Sequence, residues 1–225
     1  MPASRPLPAR IAGLDVPQDA VAERTWDWAQ RALPDYLLAH SVRSYCWGAE
    51  LARQAGWSFD RRILWTAALI HDVGLTRIPR NTMCFEVEGA EIARDLLERH
   101  GMPAAEADRA AIAIILHMQP GVTVDDGVEA VLLDRATGID VRGDGYASIA
   151  LVRDDVTAAF PRGQFDRHFL RAIEREVTVR RDCQSTRLLE RTGLATWMAR
   201  SPWAAATGPR TSSGRGRPRK VSRPT

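Results

Sequence analysis

Leu38, Val42, Tyr45, Ala49 and Ala52 follow one another at steps of three and four, which lays one apolar stripe along a helix over 35–54. His40, Arg43 and Trp47 form a second stripe beside it on the same helix. The helical period then recurs almost without a break. Gln18–Asp19 open a helix that Pro34 stops, and further helices are expected near 60–73, 86–99, 103–118, 125–138, 146–159, 164–180 and 184–200, parted by signals such as Gly56, Gly101–Met102–Pro103 and Pro161–Arg162–Gly163. Sustained period-two alternation is absent, so the fold class is all-α. The chain has 225 residues, enough for one helical bundle with a real core, placed at 18–206. Pro2, Pro6, Pro8 and Pro17 mark residues 1–17 as an irregular leader.

Charge sets the C-terminus apart. The formal net charge is +3, but Arg210, Arg215, Arg217, Arg219, Lys220 and Arg223 belong to a Gly-, Pro- and Ser-rich stretch at 207–225 that holds no acid. Without those six the remaining bases are outnumbered by acids, so the basicity belongs to the tail and not to the bundle. This stretch has almost nothing to bury and is expected to be a disordered basic tail. Three cysteines, Cys46, Cys84 and Cys183, form no C-x-x-C and are odd in number, which suggests neither a disulfide framework nor a cysteine zinc site. The first twenty residues lack an apolar core of the secretory kind, and the run AAIAIIL at 110–116 is far short of a membrane span. A cytoplasmic protein without a membrane segment is therefore expected, and a homo-oligomer is compatible with the sequence.

The stretch AALIHDVGLT sets His71 and Asp72 straight after a buried apolar run. Unpaired imidazole and carboxylate groups lose their hydration there, so something should hold them. His40 lies on the preceding helix and Asp140 near the end of a later one, and a helical bundle can bring one group from each helix to a common point. Imidazole nitrogen and carboxylate oxygen suit zinc or another first-row divalent ion. His40, His71, Asp72 and Asp140 are the candidate ligands, with Asp134 as an alternative to Asp140.

HSVRSY at 40–45, ALIHDVGLT at 68–76, CFEVEGAEIARDLLERHG at 84–101, AIAIILHMQPGV at 111–122 and ATGIDVRG at 136–143 occur in this order. Over about 36–165 the chain thereby resembles the HD superfamily of metal-dependent enzymes, specifically its cyanamide hydratase-like branch. The resemblance implies an all-helical HD-type bundle that binds one divalent metal, zinc before iron or manganese, through His40, His71, Asp72 and Asp140, and it favours Asp140 over Asp134. The segment Phe85–Glu86–Val87–Glu88–Gly89–Ala90 is the more discriminating part of the match. Some HD enzymes add histidines for a second metal, and this chain offers His100 and His117. His100 precedes Gly101 at a helix end, where a cation is a common stabilising device, and His117 is either a satisfied core histidine or a group lining the metal pocket, so one metal is expected.

Such a centre would add metal-activated water to a small-molecule substrate, giving a urea- or amide-type product from a nitrile-like carbon. Thr76 and His117 would orient groups or shuttle protons, while Arg43 and Glu86 would meet the substrate or each other. The alternative chemistry is phosphohydrolysis of a nucleotide or small phosphoester, with Arg43, Arg77 and Arg80 as the candidate clamp. A third reading, from another class, rests on R-G-R-P at 215–218. It resembles an AT-hook, and the tail would then bind nucleic acid, non-specifically in the plainest case.

Overall fold

The computed structural model describes residues 5–77, 83–191 and 193–206. The expectations for the 207–225 tail and for Arg80 lie outside those residues. Within them the architecture is the all-α bundle: α1 (Ala20–Ala32), α2 (Asp35–Ala55), α3 (Arg61–Ile70), α4 (Phe85–Arg99), α5 (Ala104–Leu116), α6 (Val128–Arg142), α7 (Arg153–Ala159) and α8 (Phe165–Val179), then the short α9 (Gln184–Thr186), α10 (Leu194–Arg200) and α11 (Pro202–Ala206). No helix among the described residues is long and apolar enough to cross a membrane.

Local chemistry sets the ends of the helices. Asp19 caps α1 by accepting from the backbone N–H groups of Val21 and Ala22 at 2.9 and 3.0 Å, and Asp60 does the same for α3. Helix α2 runs to Gly56, whose φ of 66° closes it in a left-handed turn. It is the central helix, with neighbours in α3, α6 and α8. Fourteen of its 21 residues are buried, polar His40, Ser41, Arg43, Ser44 and Glu50 among them. An amphipathic stripe is thus only part of its surface, because other helices cover it on several sides.

The structure departs from the expected layout in four places. The leader is not irregular throughout. Arg10–Ile11 and Leu14–Asp15 pair as a two-stranded antiparallel hairpin, β1 and β2, around Ala12–Gly13, and the Tyr45 hydroxyl donates to the Asp15 carbonyl at 2.6 Å. Ile11, Leu14 and Val16 are buried, so the hairpin caps the core despite its prolines. The helix expected over 146–159 is a 3-10 turn at Tyr146–Ile149 followed by α7. The one expected over 184–200 is broken, since α9 runs into a π turn at Arg187–Arg191 and Gly193 takes φ 66° before α10. Finally, Cys84 and Cys183 are joined in a disulfide, which corrects the reading of the cysteines, and Cys46 is free and buried. The sequence separation of 99 hid this pair, because only packing of α4 against the end of α8 brings the two together. With a disulfide present, cysteine usage gives no ground for the expected reducing compartment.

Candidate metal centre

Three elements deliver the central groups. His40 comes from the second turn of α2, His71 closes α3, and Asp72 opens the 3-10 turn Val73–Thr76 that follows. This turn lies tightly on the start of α4: a Cβ at Gly74 would fall 2.8 Å from Phe85 Cα, and one at Gly89 3.1 Å from the His71 carbonyl oxygen. Only glycine at 74 permits that approach. The Arg175 guanidinium, reaching from α8, donates to the Leu75 carbonyl and holds the turn from the other side.

His40 Nε2 lies 3.2 Å from His71 Nε2 and 3.4 Å from Asp72 Oδ2, and His71 Nε2 lies 3.2 Å from the same oxygen. All three residues are buried, and these ligand atoms form a group able to hold a metal ion. The opposite face of each ring fixes its proton. His40 Nδ1 meets Asp140 Oδ2 at 2.7 Å and His71 Nδ1 meets the Ala68 carbonyl at 2.8 Å. A carboxylate and a carbonyl can only accept, so each Nδ1 donates and each neutral ring turns a lone pair inward. Asp72 Oδ2 is buried with no hydrogen-bond partner among the described residues. Three electron-rich atoms therefore face one another out of water, an arrangement that a bound cation would compensate. Four-coordinate zinc with bonds near 2.0–2.1 Å sets its ligand atoms about 3.3 Å apart, and the observed separations fit that spacing.

Electrostatics agree with these roles. Burial pushes the His40 imidazole below its ordinary pKa, more than the Asp140 carboxylate raises it. Burial is the largest influence on His71 and acts downward, but the Asp72 charge and hydrogen bond, the Ala68 carbonyl and Asp140 together outweigh it and the net shift is upward. Without a metal, a proton drawn to His71 supplies the positive charge the cluster needs. Asp72 falls to about 2, since the facing imidazoles of His71, His40 and His117 overcome a desolvation that works the other way.

Asp140 is not in the convergent set. One of its oxygens accepts from Arg43 Nε at 2.8 Å and Trp47 Nε1 at 2.9 Å, the other from His40 Nδ1 and Arg43 Nη2 at 2.7 Å each. Arg162 Nη1 stands 3.3 Å from the second oxygen. Against the desolvation of a fully buried carboxyl, Arg43 and Arg162 hold it well below the usual range. The stripe of His40, Arg43 and Trp47 on α2 thus turns to Asp140. Arg43 spends its remaining donors on the carbonyls of Phe160 and Pro161 and stacks over Phe165, so it meets neither Glu86 nor an open surface. Asp134 lies elsewhere, in the wall of an outer cavity, with burial lifting its carboxyl to about 6.

His117, at the end of α5, is the further group that reaches the cluster. Its Nδ1 donates to the Ile114 carbonyl at 2.6 Å, its Nε2 lies 3.9 Å from Asp72 Oδ1, and its ring centroid is 4.9 Å from that of His71. Burial, then the nearby His71, lowers its pKa to about 4. Thr76 stands apart: its hydroxyl donates to the Val73 carbonyl at 2.8 Å, closing its own turn. Glu86 is buried in the first turn of α4, and its Oε2 has no hydrogen-bond partner among the described residues. Burial and then Glu176 raise its carboxyl to about 7. His100 is exposed at the end of α4, in keeping with a helix-end role.

A cavity of about 20 Å³ opens beside His40, His71, Asp72 and His117, walled by Met118, Val141, Phe169 and Leu188, with Arg142 as its cation. That is room for one water or ion. An outer cavity of about 320 Å³ shares Met118, Arg142 and Leu188 with it and adds Arg187 and Trp197. Arg162 and the rings of Phe165 and Phe169 against His40 are site neighbours that the sequence reading missed. The one signal for Arg162 in the sequence, its place between Pro161 and Gly163, reads as a helix break.

The fold is a helical bundle that gathers a buried His-His-Asp group able to hold a metal ion. Residues 37–140 match the family model described as HD domain, and that span contains His40, His71, Asp72, His117 and Asp140. The match covers 104 of the 225 residues. No curated protein matches the chain.

Proposed function

We propose that this protein is a metal-dependent enzyme that adds water to a small, uncharged electrophile, hydration of a nitrile-like carbon as in cyanamide being the reading we favour. The observation that carries it is the inward convergence of His40 Nε2, His71 Nε2 and the partnerless Asp72 Oδ2. A bound divalent ion, zinc before iron or manganese, supplies a Lewis acid that makes water nucleophilic near neutrality. The residues do the rest. His40 and His71 are held in one tautomer by Asp140 and the Ala68 carbonyl, so the donors are oriented before substrate arrives. Met118, Val141, Phe169 and Leu188 exclude bulk water and leave space only for a small reacting group. Arg43 is buried and commits four hydrogen bonds to Asp140 and backbone carbonyls, which argues against its use as a phosphate clamp.

The second reading is phosphohydrolysis of a nucleotide or small phosphoester, favoured by the HD match and by Arg142 and Arg187 along the outer cavity. One experiment separates the two. The protein is reconstituted with zinc, iron or manganese, then assayed for urea from cyanamide and for phosphate from a nucleotide panel. Urea release that disappears with the metal supports hydration, and phosphate release without urea favours the alternative.

A further inference from the structure

The Cys84–Cys183 bridge joins two pieces of chain that both border the cavities, each from a different side. Cys84 precedes Phe85, whose backbone bears on Gly74 in the turn after Asp72. Cys183 opens the strap 184–191, made of α9 and the π turn. Leu188 of this strap walls the cavity beside His40, His71 and Asp72, while Gln184, Arg187 and Leu188 wall the outer cavity. The position of the strap therefore decides how far both cavities are closed. Apart from the bridge it is weakly tied down. Gln184 Nε2 donates to the Met118 carbonyl at 2.9 Å, but the hydroxyls of Ser185 and Thr186 are buried with no hydrogen-bond partner among the described residues. A hydroxyl that has lost its water without a new partner is destabilising, so both would gain by moving out to solvent. A covalent tie thus holds down a segment whose own polar groups favour lifting. Cys84 is only half-buried, which leaves the bridge open to a reagent from solvent.

We propose that this bridge is a reversible redox latch: oxidised, it keeps the strap 184–191 over both cavities, and reduced by a dithiol, it releases the strap and opens the metal centre to solvent and substrate. The effect on the centre rests on the metal-centre reading above, whereas the release of the strap does not. The chemistry is thiol–disulfide exchange. One thiolate of the dithiol bonds to a bridge sulfur as the S–S bond breaks, and the other cysteine leaves as a thiolate. The second thiolate of the reagent then displaces the cysteine still bound to it. Two electrons and two protons pass to Cys84 and Cys183, and the dithiol becomes a disulfide.

The test is hydrogen exchange of the full chain, read by mass spectrometry, in the oxidised form and in dithiothreitol. It is joined to the rate at which a chelator strips zinc from the oxidised wild type and from Cys183→Ser, both without reductant. Reduction should speed exchange at 184–191 by about 10-fold beyond any rise in α2 and α3. Reoxidation should restore the slow exchange. Cys183→Ser should exchange there like the reduced wild type, with or without dithiothreitol, and lose zinc about 10-fold faster than the oxidised protein. A rise at 184–191 no larger than that in α2 overturns the latch, because the bridge then only stabilises the chain as a whole. Equal rates of zinc loss in the two proteins overturn it as well. A wild type that binds no zinc while its strap still loosens on reduction overturns the metal-centre reading and leaves the release of the strap standing. The wild-type comparison needs no variant to fold.

Discussion

His40 donates through Nδ1 to Asp140 Oδ2 at 2.7 Å and turns its Nε2 to within 3.2 Å of His71 Nε2. One ring thus joins two polar systems. Behind it lies a carboxylate neutralised by two arginines, and before it the buried cluster of His71 and Asp72 that is able to hold a metal ion.

The first system makes Arg43 a structural residue. Replacing it by methionine keeps much of the volume but leaves the Asp140 carboxylate short of its main counter-charge, and breaking such a buried pair costs about 3–5 kcal/mol. Arg43→Met should therefore lower the midpoint of urea unfolding markedly. An unfolding curve that overlays the wild type would show that Arg162 and His40 suffice.

Glu86 gives a pH signature. Its carboxyl is raised to about 7 in the folded chain, mainly by burial, so the folded state holds this proton more tightly than the unfolded state. Stability from this group is complete below the unfolded value near 4.5 and is lost as pH rises through about 7. Glu86→Gln should match the wild type at low pH and exceed it above neutrality by about 3 kcal/mol. Urea unfolding across that range reads the difference, and a difference that does not change with pH contradicts it.

Gly74 makes the turn after Asp72 possible. A methyl group there meets the Phe85 backbone at 2.8 Å, and neither side is a flexible chain end that could yield. Gly74→Ala should cost about 1–3 kcal/mol and weaken zinc binding by displacing Asp72. Unchanged thermal stability together with unchanged zinc affinity would refute the close packing of turn and helix.

The Cys84–Cys183 bridge ties the start of α4 to the segment after α8. Cys84→Ser should lower stability by about 2–4 kcal/mol, measured by urea unfolding without reductant. Equal stability in the presence and absence of reductant would mean that the bridge contributes nothing in solution.

The parts legible in the sequence were those carried by local pattern. Steps of three and four located the main helices, and an imidazole and carboxylate placed after four apolar residues located the cluster. What stayed hidden depended on direction and distance. Sequence spacing sets Asp140 near a helix end but not which face of His40 it meets. An arginine such as Arg43 reads as solvated unless the acid it pairs with, 97 residues on, is known to be buried with it. The cysteine bridge and the hairpin at 10–15 are likewise products of packing, with only a Gly at the turn to mark the hairpin.

The central claim is that a cation holds His71 and Asp72 in place, and metal analysis by mass spectrometry of the wild type and of Asp72→Ala tests it most directly. The account predicts about one equivalent of a divalent ion in the wild type and its loss in Asp72→Ala, with the helical circular dichroism retained. Full occupancy in Asp72→Ala, or no ion in the wild type even after reconstitution, would contradict it.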